Sequence, residues 1–136
     1  MRIMGLDYGE KRIGVAISDE LKMTAQGITV IKRTLLDKDI EKIKELVLEY
    51  NVSEIVVGIP KNMDGTLGFM AEEVKEFAKE IQKKISISLE LQDERLSSKA
   101  AERTLLEGDV SRKKRKEVID KMAAVYLLQG YLDSKV

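Results

Sequence analysis

The sequence contains no cysteine and no histidine. Without cysteine there is no disulfide, thiolate zinc site, iron–sulfur cluster or cysteine nucleophile. Without histidine the chain lacks the usual general base, the Ser-His-Asp triad and the commonest ligand of transition metals. Chemistry must therefore depend on Asp, Glu, Lys, Arg, Tyr, Ser or Thr, or on a metal held by oxygen ligands, which points to Mg²⁺ or Mn²⁺.

Proline, aromatic residues and net charge are also scarce. A single proline in 136 residues, with no low-complexity tract, predicts one domain over residues 1–136. The 24 basic and 24 acidic residues cancel, so only a local patch would attract nucleic acid. Four tyrosines, two phenylalanines and no tryptophan argue against a base-stacking platform, and recognition would use backbone and shape.

Long apolar runs are missing as well. No run approaches the roughly 20 residues that a membrane helix needs. The N-terminus meets an acid at Asp7, too early for a signal peptide. We therefore expect no membrane partner and a cytoplasmic protein.

Apolar periodicity predicts an α/β fold. Alternating apolar residues predict strands at 13–17 and 85–92, and short apolar or β-branched runs predict strands at 3–6, 28–31 and 55–57. Helical spacing predicts helices at 40–50, which Asp37 or Asp39 would cap, at 70–81, from Ser97 or Ser98 to Gly108, and from Ser111 to about Leu132. Short links make the first three strands an antiparallel meander, and the later alternation requires right-handed parallel crossovers. We expect a mixed five-stranded sheet flanked by helices.

Two acidic positions follow predicted strands. Asp7 ends the first strand, which would lie centrally, and ligands bind at the carboxyl ends of such strands; an Asx turn is the alternative. Asp93 and Glu94 end the last strand, where alternation puts Asp93 on the face of Leu91 and Glu94 on the other. A surface ion pair with Arg95 explains this tripeptide equally well.

Asp120 lies within the apolar stripe of the last helix. We expect that stripe to centre near Ala123, with Ile119, Tyr126 and Leu127 beside it. An inward carboxylate costs several kcal/mol unless it is neutralised, paired or bound to a metal. A buried salt bridge is the alternative, and spacing alone does not establish that the three acids converge.

Two groups of cations are candidate phosphate contacts. Lys11 and Arg12 lie in a turn between glycines, where backbone N–H groups can approach an anion, although an ordinary hairpin tip is the alternative. Five consecutive cations begin the last helix: Arg112, Lys113, Lys114, Arg115 and Lys116. Cations oppose the helix dipole at this end. We therefore interpret the run as a phosphate-binding patch rather than a solvated helix face.

Together these segments resemble the YqgF family, also called RuvX-type Holliday junction resolvases or pre-16S rRNA nucleases. The matching motifs are GLDYGEKRIGVAISD at 5–19, VGIPKNMDGT at 57–66, DERLSSKAAE at 93–102 and RKKRKEVIDKMAAVYLLQGYLD at 112–133. The resemblance covers essentially the whole chain and implies an RNase H-like fold. It also implies that Asp7, Glu94 and Asp120 are the catalytic metal-binding acids, with Glu94 favoured over Asp93.

The resemblance implies metal-assisted phosphodiester hydrolysis. Two Mg²⁺ or Mn²⁺ ions would activate a water and stabilise the leaving 3′-oxygen, while Lys11, Arg12, Arg95 and residues 112–116 would hold the nucleic acid. We expect the substrate to be structured RNA, and the leading candidate reaction is processing of the 5′ end of pre-16S rRNA. Branched DNA is the second candidate substrate.

Several alternatives stay open. The chain could be a Holliday junction resolvase or a non-catalytic nucleic-acid-binding module. The glycine spacing at 7–14 also resembles the first phosphate loop of actin-like ATPases, but that fold needs two such domains. Either a monomer or a homodimer is possible, and a two-fold symmetric junction would require the dimer.

Overall fold

The computed structural model describes residues 1–59, 71–93 and 112–135, without the side chains of residue 93 and residues 112–120. Its strands are β1 (Arg2–Tyr8), β2 (Arg12–Ser18), β3 (Ala25–Lys32), β4 (Val52–Ile59) and β5 (Ser88–Asp93). Its helices are α1 (Leu36–Glu49), α2 (Ala71–Lys84) and α3 (Arg112–Ser134). The helix predicted from Ser97 or Ser98 to Gly108 lies outside the described residues.

The five strands form one mixed sheet in the order β3-β2-β1-β4-β5. β1, β2 and β3 pair antiparallel because short turns connect them. β4 pairs parallel with β1, and β5 pairs parallel with β4. The predicted mixed sheet is confirmed, with β1 at its centre. None of the described helices is long and apolar enough to cross a membrane.

Alternation along β1 divides the core into two halves. Met4, Leu6 and Tyr8 pack with the buried residues of α1 and α2. Ile3 packs with the buried residues of α3 on the opposite face. Because strand residues alternate between faces, Asp7 belongs with Ile3 to the α3 face.

Glycines let α3 lie close to the sheet. A Cβ added at Gly5 of β1 would lie 2.8 Å from Cβ of Leu128, and one added at Gly27 of β3 would lie 2.6 Å from Cγ of Lys121. Gly27, Ala16 and Gly5 are register partners in a row across β3, β2 and β1. α3 therefore crosses this row on the face that carries Asp7.

The start of α1 differs from the sequence prediction. Leu35 occupies the N-cap position without a side-chain cap, and Asp37 and Asp39 lie inside the first turn. The buried Asp39 carboxylate instead accepts hydrogen bonds from the Thr34 N–H at 3.1 and 3.2 Å and from the Thr34 hydroxyl at 3.1 Å. The helix begins before these acids, so Asp39 reaches back to the preceding segment.

The start of β5 also differs. The prediction began the strand at residue 85, but the N–H of Ile85 donates to the Ile81 carbonyl at 2.7 Å and so continues the last turn of α2. Pairing with β4 starts at Ser88, opposite Glu54. Ile85 and Ile87 alternate with polar residues because both pack on the core, and core packing alone does not make a strand.

Candidate functional site

Asp7 lies near the carboxyl end of the central strand and is 9% exposed. Its register partner on β2 is Gly14. On the other side, the pairing of Leu6 with Val57 brings Gly58 next to Asp7. Because glycine has no side chain, neither neighbour on the sheet competes with this carboxylate on the α3 face.

The buried face of α3 is centred differently from the prediction. Its buried residues are Ala123, Ala124, Leu127, Leu128, Tyr131 and Leu132, whereas Tyr126 is only half-buried. At about 100° per residue, the centre of this stripe lies about 90° from Ala123, and position 120 lies about 60° from Ala123 in the same direction. Position 120 is therefore closer to the centre of the buried stripe than the sequence pattern predicted, although its side chain lies outside the description.

The strand register at the end of β5 distinguishes the two acids there. Asp93 is the register partner of Ile59, which shares the face of Ile55 and Val57 toward α1 and α2. Position 93 therefore belongs to the face opposite Asp7. Glu94 lies outside the described residues.

A hydrogen bond confirms which positions of β4 and β5 face α3. The Tyr131 hydroxyl donates to Oε1 of Glu54 at 2.8 Å. Burial raises the pKa of Tyr131, and the carboxylates of Glu54 and Glu90 raise it further. Even-numbered positions of both strands thus lie on the α3 face.

Two of the predicted phosphate contacts are described in full by the structure. Lys11 is exposed in the β1–β2 turn, and Arg12 is half-buried opposite Lys32. Arg95 lies outside the described residues. The run of cations at 112–116 forms the first turns of α3, and its side chains are not described.

The direction in which α3 crosses the sheet indicates where residues 112–116 lie. Lys121 packs on Gly27 of β3, and Leu128 packs on Gly5 of β1, so the helix comes in from the β3 side. Residues 112–116 precede Lys121 by about 7–14 Å of helix. The run therefore extends toward the edge strand β3 rather than over the centre of the sheet.

Arg33 is a residue that sequence reasoning missed. Its Nη1 donates to the carbonyls of Gly9 at 2.9 Å and Glu10 at 2.7 Å. Its guanidinium carbon lies 4.4 Å from the centroid of the Tyr8 ring, and its Nη2 is 4.0 Å from the Glu73 carboxylate. The antiparallel pairing of β2 and β3 was the available signal, because it returns residue 33 to the β1–β2 turn.

Tyr8, which precedes the β1–β2 turn, packs against α2. Its ring centroid is 4.5 Å from that of Phe77 on α2. Burial raises the pKa of the Tyr8 hydroxyl, Arg33 opposes that shift, and Glu73 and Asp39 add to it. Tyr8 therefore remains a neutral packing residue on the face opposite Asp7.

The donor chemistry fits a hard divalent cation. Within the described residues no group of three or more Asp, Glu, His or Cys side chains could hold a metal; of the three predicted ligands, the described side chain is that of Asp7. Carboxylate oxygens are the ligands that Mg²⁺ and Mn²⁺ prefer. Asp7, buried at a strand end between two glycines, is suited to contribute one of them.

A family model described as RuvX, Holliday junction resolvase, matches residues 1–134. The chain belongs to this family. A protein of Natranaerobius thermophilus, named "Putative pre-16S rRNA nuclease", is 59% identical over 136 residues, which are 100% of this chain and 96% of that protein. The family predicted from the sequence motifs is confirmed.

Two solved structures of similar fold are Holliday junction resolvases. RuvC of T. thermophilus in complex with a Holliday junction substrate has a TM-score of 0.60 at 12% identity, over 99% of this chain and 96% of RuvC. The fowlpox virus resolvase in complex with Holliday junction DNA has a TM-score of 0.59 at 15% identity, over 100% and 99% of the two chains. The RNase H-like fold is confirmed, and the family supports the predicted class of phosphodiester-hydrolysing enzyme.

Proposed function

We propose that this RuvX protein is a Mg²⁺- or Mn²⁺-dependent nuclease that processes the 5′ end of pre-16S rRNA, with Asp7, Glu94 and Asp120 as its catalytic metal ligands. The observation that supports the proposal is that Asp7 and α3 lie on the same face of the sheet. Asp7 lies two residues beyond Gly5 on β1, a position on which α3 packs closely. Position 120 lies in that helix one turn before Ala124, near the centre of the buried stripe.

Strand alternation supports Glu94 over Asp93 as the third ligand. Position 93 belongs to the α1 and α2 face, whereas Glu90 lies on the α3 face with Glu54. A strand that continued by one residue would place position 94 with Glu90. The parallel strands β1, β4 and β5 bring their carboxyl ends to the same edge of the sheet. An acid at position 94 would therefore reach the edge and the face where Asp7 lies.

The residues of the chain have distinct tasks in this proposal. Bound divalent ions supply Lewis acidity, which lowers the pKa of water and neutralises charge at the leaving 3′-oxygen. The three carboxylates serve as ligands, and none of them attacks the phosphorus. The buried position of Asp7 restricts its side chain, and a restricted ligand needs little reorganisation during the reaction.

The cations would hold the nucleic-acid backbone beside the acids. Lys11 and Arg12 lie at the β1–β2 turn, five residues or fewer beyond Asp7, and residues 112–116 extend toward the β3 edge. Arg95 would follow Glu94 at the end of β5. Together these cations would provide phosphate contacts on both sides of the acidic site.

Structured RNA is the substrate that we favour. The similar protein of N. thermophilus carries a pre-16S rRNA name. Branched DNA is second, because the family description and the two structural neighbours concern Holliday junctions. RNA cleavage is compatible with a monomer, whereas a symmetric junction would require a homodimer.

The test compares cleavage of a precursor rRNA fragment and a four-way DNA junction in Mn²⁺. We expect Asp7→Asn to abolish cleavage while binding stays near the wild-type affinity or tightens, because a negative charge facing the phosphate is removed. Asp133→Asn is the matched control on α3, since Asp133 contacts Gln129 far from the acidic edge, and it should cleave normally. Cleavage by Asp7→Asn at the wild-type rate would assign the activity elsewhere.

A second pair of variants tests the assignment at β5. Glu94→Gln should lose cleavage to the same extent as Asp7→Asn, and Asp93→Asn should retain it within about threefold. The reverse result would make Asp93 the ligand. Binding without cleavage by the wild type in both Mg²⁺ and Mn²⁺ would favour a non-catalytic nucleic-acid-binding module.

A further inference from the structure

We propose that Arg33 is a positioning residue, which holds the β1–β2 turn so that its backbone N–H groups and Lys11 bind a phosphate of the substrate. The inference rests on the proposed function in taking that substrate to be a nucleic acid. It assigns an anion-binding site to the β1–β2 turn. It also assigns a positioning role to Arg33, which lies on the face of the sheet opposite Asp7.

Arg33 binds three consecutive carbonyl groups of the turn. Its Nη1 donates to the carbonyls of Gly9 and Glu10 at 2.9 and 2.7 Å. Its own backbone N–H donates to the carbonyl of Lys11 at 2.9 Å. A single residue therefore sets the orientation of the peptide groups at the tip of the hairpin.

The guanidinium of Arg33 is itself held on the α2 side of the sheet. It lies over the Tyr8 ring at 4.4 Å, and Tyr8 in turn packs on Phe77 of α2. Glu73, also on α2, is 4.0 Å away. One nitrogen of this guanidinium is already bonded to two carbonyls, and the side chain lies on the face of the sheet opposite Asp7. Arg33 is therefore not placed to contact a phosphate beside Asp7.

Because peptide groups are planar, the contacts of Arg33 also fix the direction of two backbone N–H groups, which form the proposed anion site. The described chain has no cis peptide bonds, and in a trans peptide the N–H points opposite to the C=O. The carbonyls of Gly9 and Glu10 point toward Arg33, so the N–H groups of Glu10 and Lys11 point away from α2. Successive N–H groups directed the same way form an anion-binding concavity, and the exposed Lys11 side chain adds a charge-assisted contact.

Gly9 allows the turn to close this tightly. A Cβ at Gly9 would lie 2.8 Å from the carbonyl oxygen of Arg12, to which the Gly9 N–H donates at 2.8 Å. Any larger residue would push the two strands of the hairpin apart at this level. The turn is therefore fixed on one side by Gly9 and Arg12 and on the other by Arg33.

The experiment measures binding of a labelled hairpin RNA and a labelled four-way DNA junction in EDTA, where cleavage does not occur. Arg33→Met keeps the side-chain stem but removes the donors, and we expect about tenfold weaker binding. Glu76→Gln is the matched control, because Glu76 also lies on α2 but pairs with Lys79, and it should bind within twofold of the wild type. Arg33→Lys, with one ammonium in place of the fork, should fall between Arg33→Met and the wild type.

A double variant separates positioning from general stability. Lys11→Gln should weaken binding and reduce the slope of log Kobs against log salt by roughly 0.7–0.9. If Arg33 acts through the turn, adding Arg33→Met to Lys11→Gln should weaken binding by less than the tenfold effect of Arg33→Met alone, because part of the contact that Arg33 positions is already lost. Independent effects that multiply, or wild-type affinity of Arg33→Met, would overturn the inference.

Titration of the wild type with inorganic phosphate, followed by amide NMR, needs no variant and no nucleic acid. The amide resonances of Glu10 and Lys11 should shift saturably, and those of Gly130, on the exposed side of α3, should not. Absence of such shifts would refute the anion site even if Arg33→Met fails to fold. If phosphate shifts these amides but neither nucleic acid binds, the proposed function fails and the turn site remains; if the wild type cleaves and Arg33→Met binds normally, the inference fails and the function remains.

Discussion

Replacement of Gly5 by alanine tests whether the contact between β1 and α3 positions the acidic site. The new Cβ would lie 2.8 Å from Cβ of Leu128 and 3.3 Å from the carbonyl oxygen of Ala124. Carbon atoms in good contact are about 3.5–4.0 Å apart, so α3 must move by about 0.7–1.2 Å. No rotamer change can relieve the clash, because the Leu128 Cβ is attached directly to the helix backbone.

The magnitude follows from this displacement. Overpacking of a core costs roughly 1–3 kcal/mol, and at roughly 4 °C per kcal/mol for a chain of this size the Tm should fall by roughly 4–12 °C. In the proposed site, movement of α3 would also displace position 120 relative to Asp7. Because a displacement of about 1 Å can cost a factor of about 100 in rate, we expect cleavage to fall by about 10- to 100-fold even well below the Tm.

Gly130→Ala is the control for this experiment. Gly130 is an exposed residue of α3, and an added Cβ would meet no atom within 4 Å. Alanine in a helix interior is favoured over glycine by about 0.5–1 kcal/mol, so this variant should melt higher and cleave normally. If Gly5→Ala melted and cleaved like the wild type, the close approach of α3 to β1 would not position the site.

Three further predictions concern the metal, the basic run and the alkaline limit of stability. Millimolar Mg²⁺ or Mn²⁺ should raise the Tm of the wild type and of Asp133→Asn, with about 2.7 kcal/mol gained at one hundred times Kd; an equal shift in Asp120→Asn would remove Asp120 from the ligands. Replacing Lys113, Lys114 and Lys116 by Gln should reduce the salt slope of nucleic-acid binding by roughly 0.7–0.9 per lost contact, and an unchanged slope would mean that the run is a solvated helix face. The raised pKa of Tyr131 should make the free energy of unfolding decrease as the pH rises above about 10, because the unfolded tyrosine ionises first; chemical denaturation should show a smaller decrease for Tyr131→Phe.

Several parts of this protein could be predicted from the sequence because they depend on local patterns. The apolar run at 3–6, the alternation at 13–17 and the helical spacing near the C-terminus depend only on neighbouring residues, and the structure confirms those elements. Short links and helical crossovers also determined the mixed sheet, since they restrict which strands can pair parallel. The four ordered motifs identified the RuvX family, and the family model confirms it.

The predictions failed where local pattern and tertiary contact disagree. Ile85 and Ile87 alternate like a strand because both pack on the core, yet the hydrogen bond from Ile85 belongs to the end of α2. Asp39 is a good capping residue by type, but its carboxylate binds Thr34 instead. In each case the sequence pattern indicates whether a residue is buried or polar. It does not indicate which group the residue forms a hydrogen bond with.

The candidate site depends on both the local sequence pattern and the tertiary contacts. Asp7 and Asp120 could be singled out from the sequence, because Asp7 ends an apolar strand and Asp120 lies within the apolar stripe of a helix. The roles proposed for Asp7, Glu94 and Asp120 came from the family motifs. The choice of face for position 93 required the register between β4 and β5, and the place of Arg33 required the pairing of β2 with β3. Strand register and helix crossing are set by contacts between residues far apart in the chain, through Gly5, Gly27 and the packing of α3. Local periodicity carries no information on such contacts, and for that reason only the tertiary structure decided which residues meet.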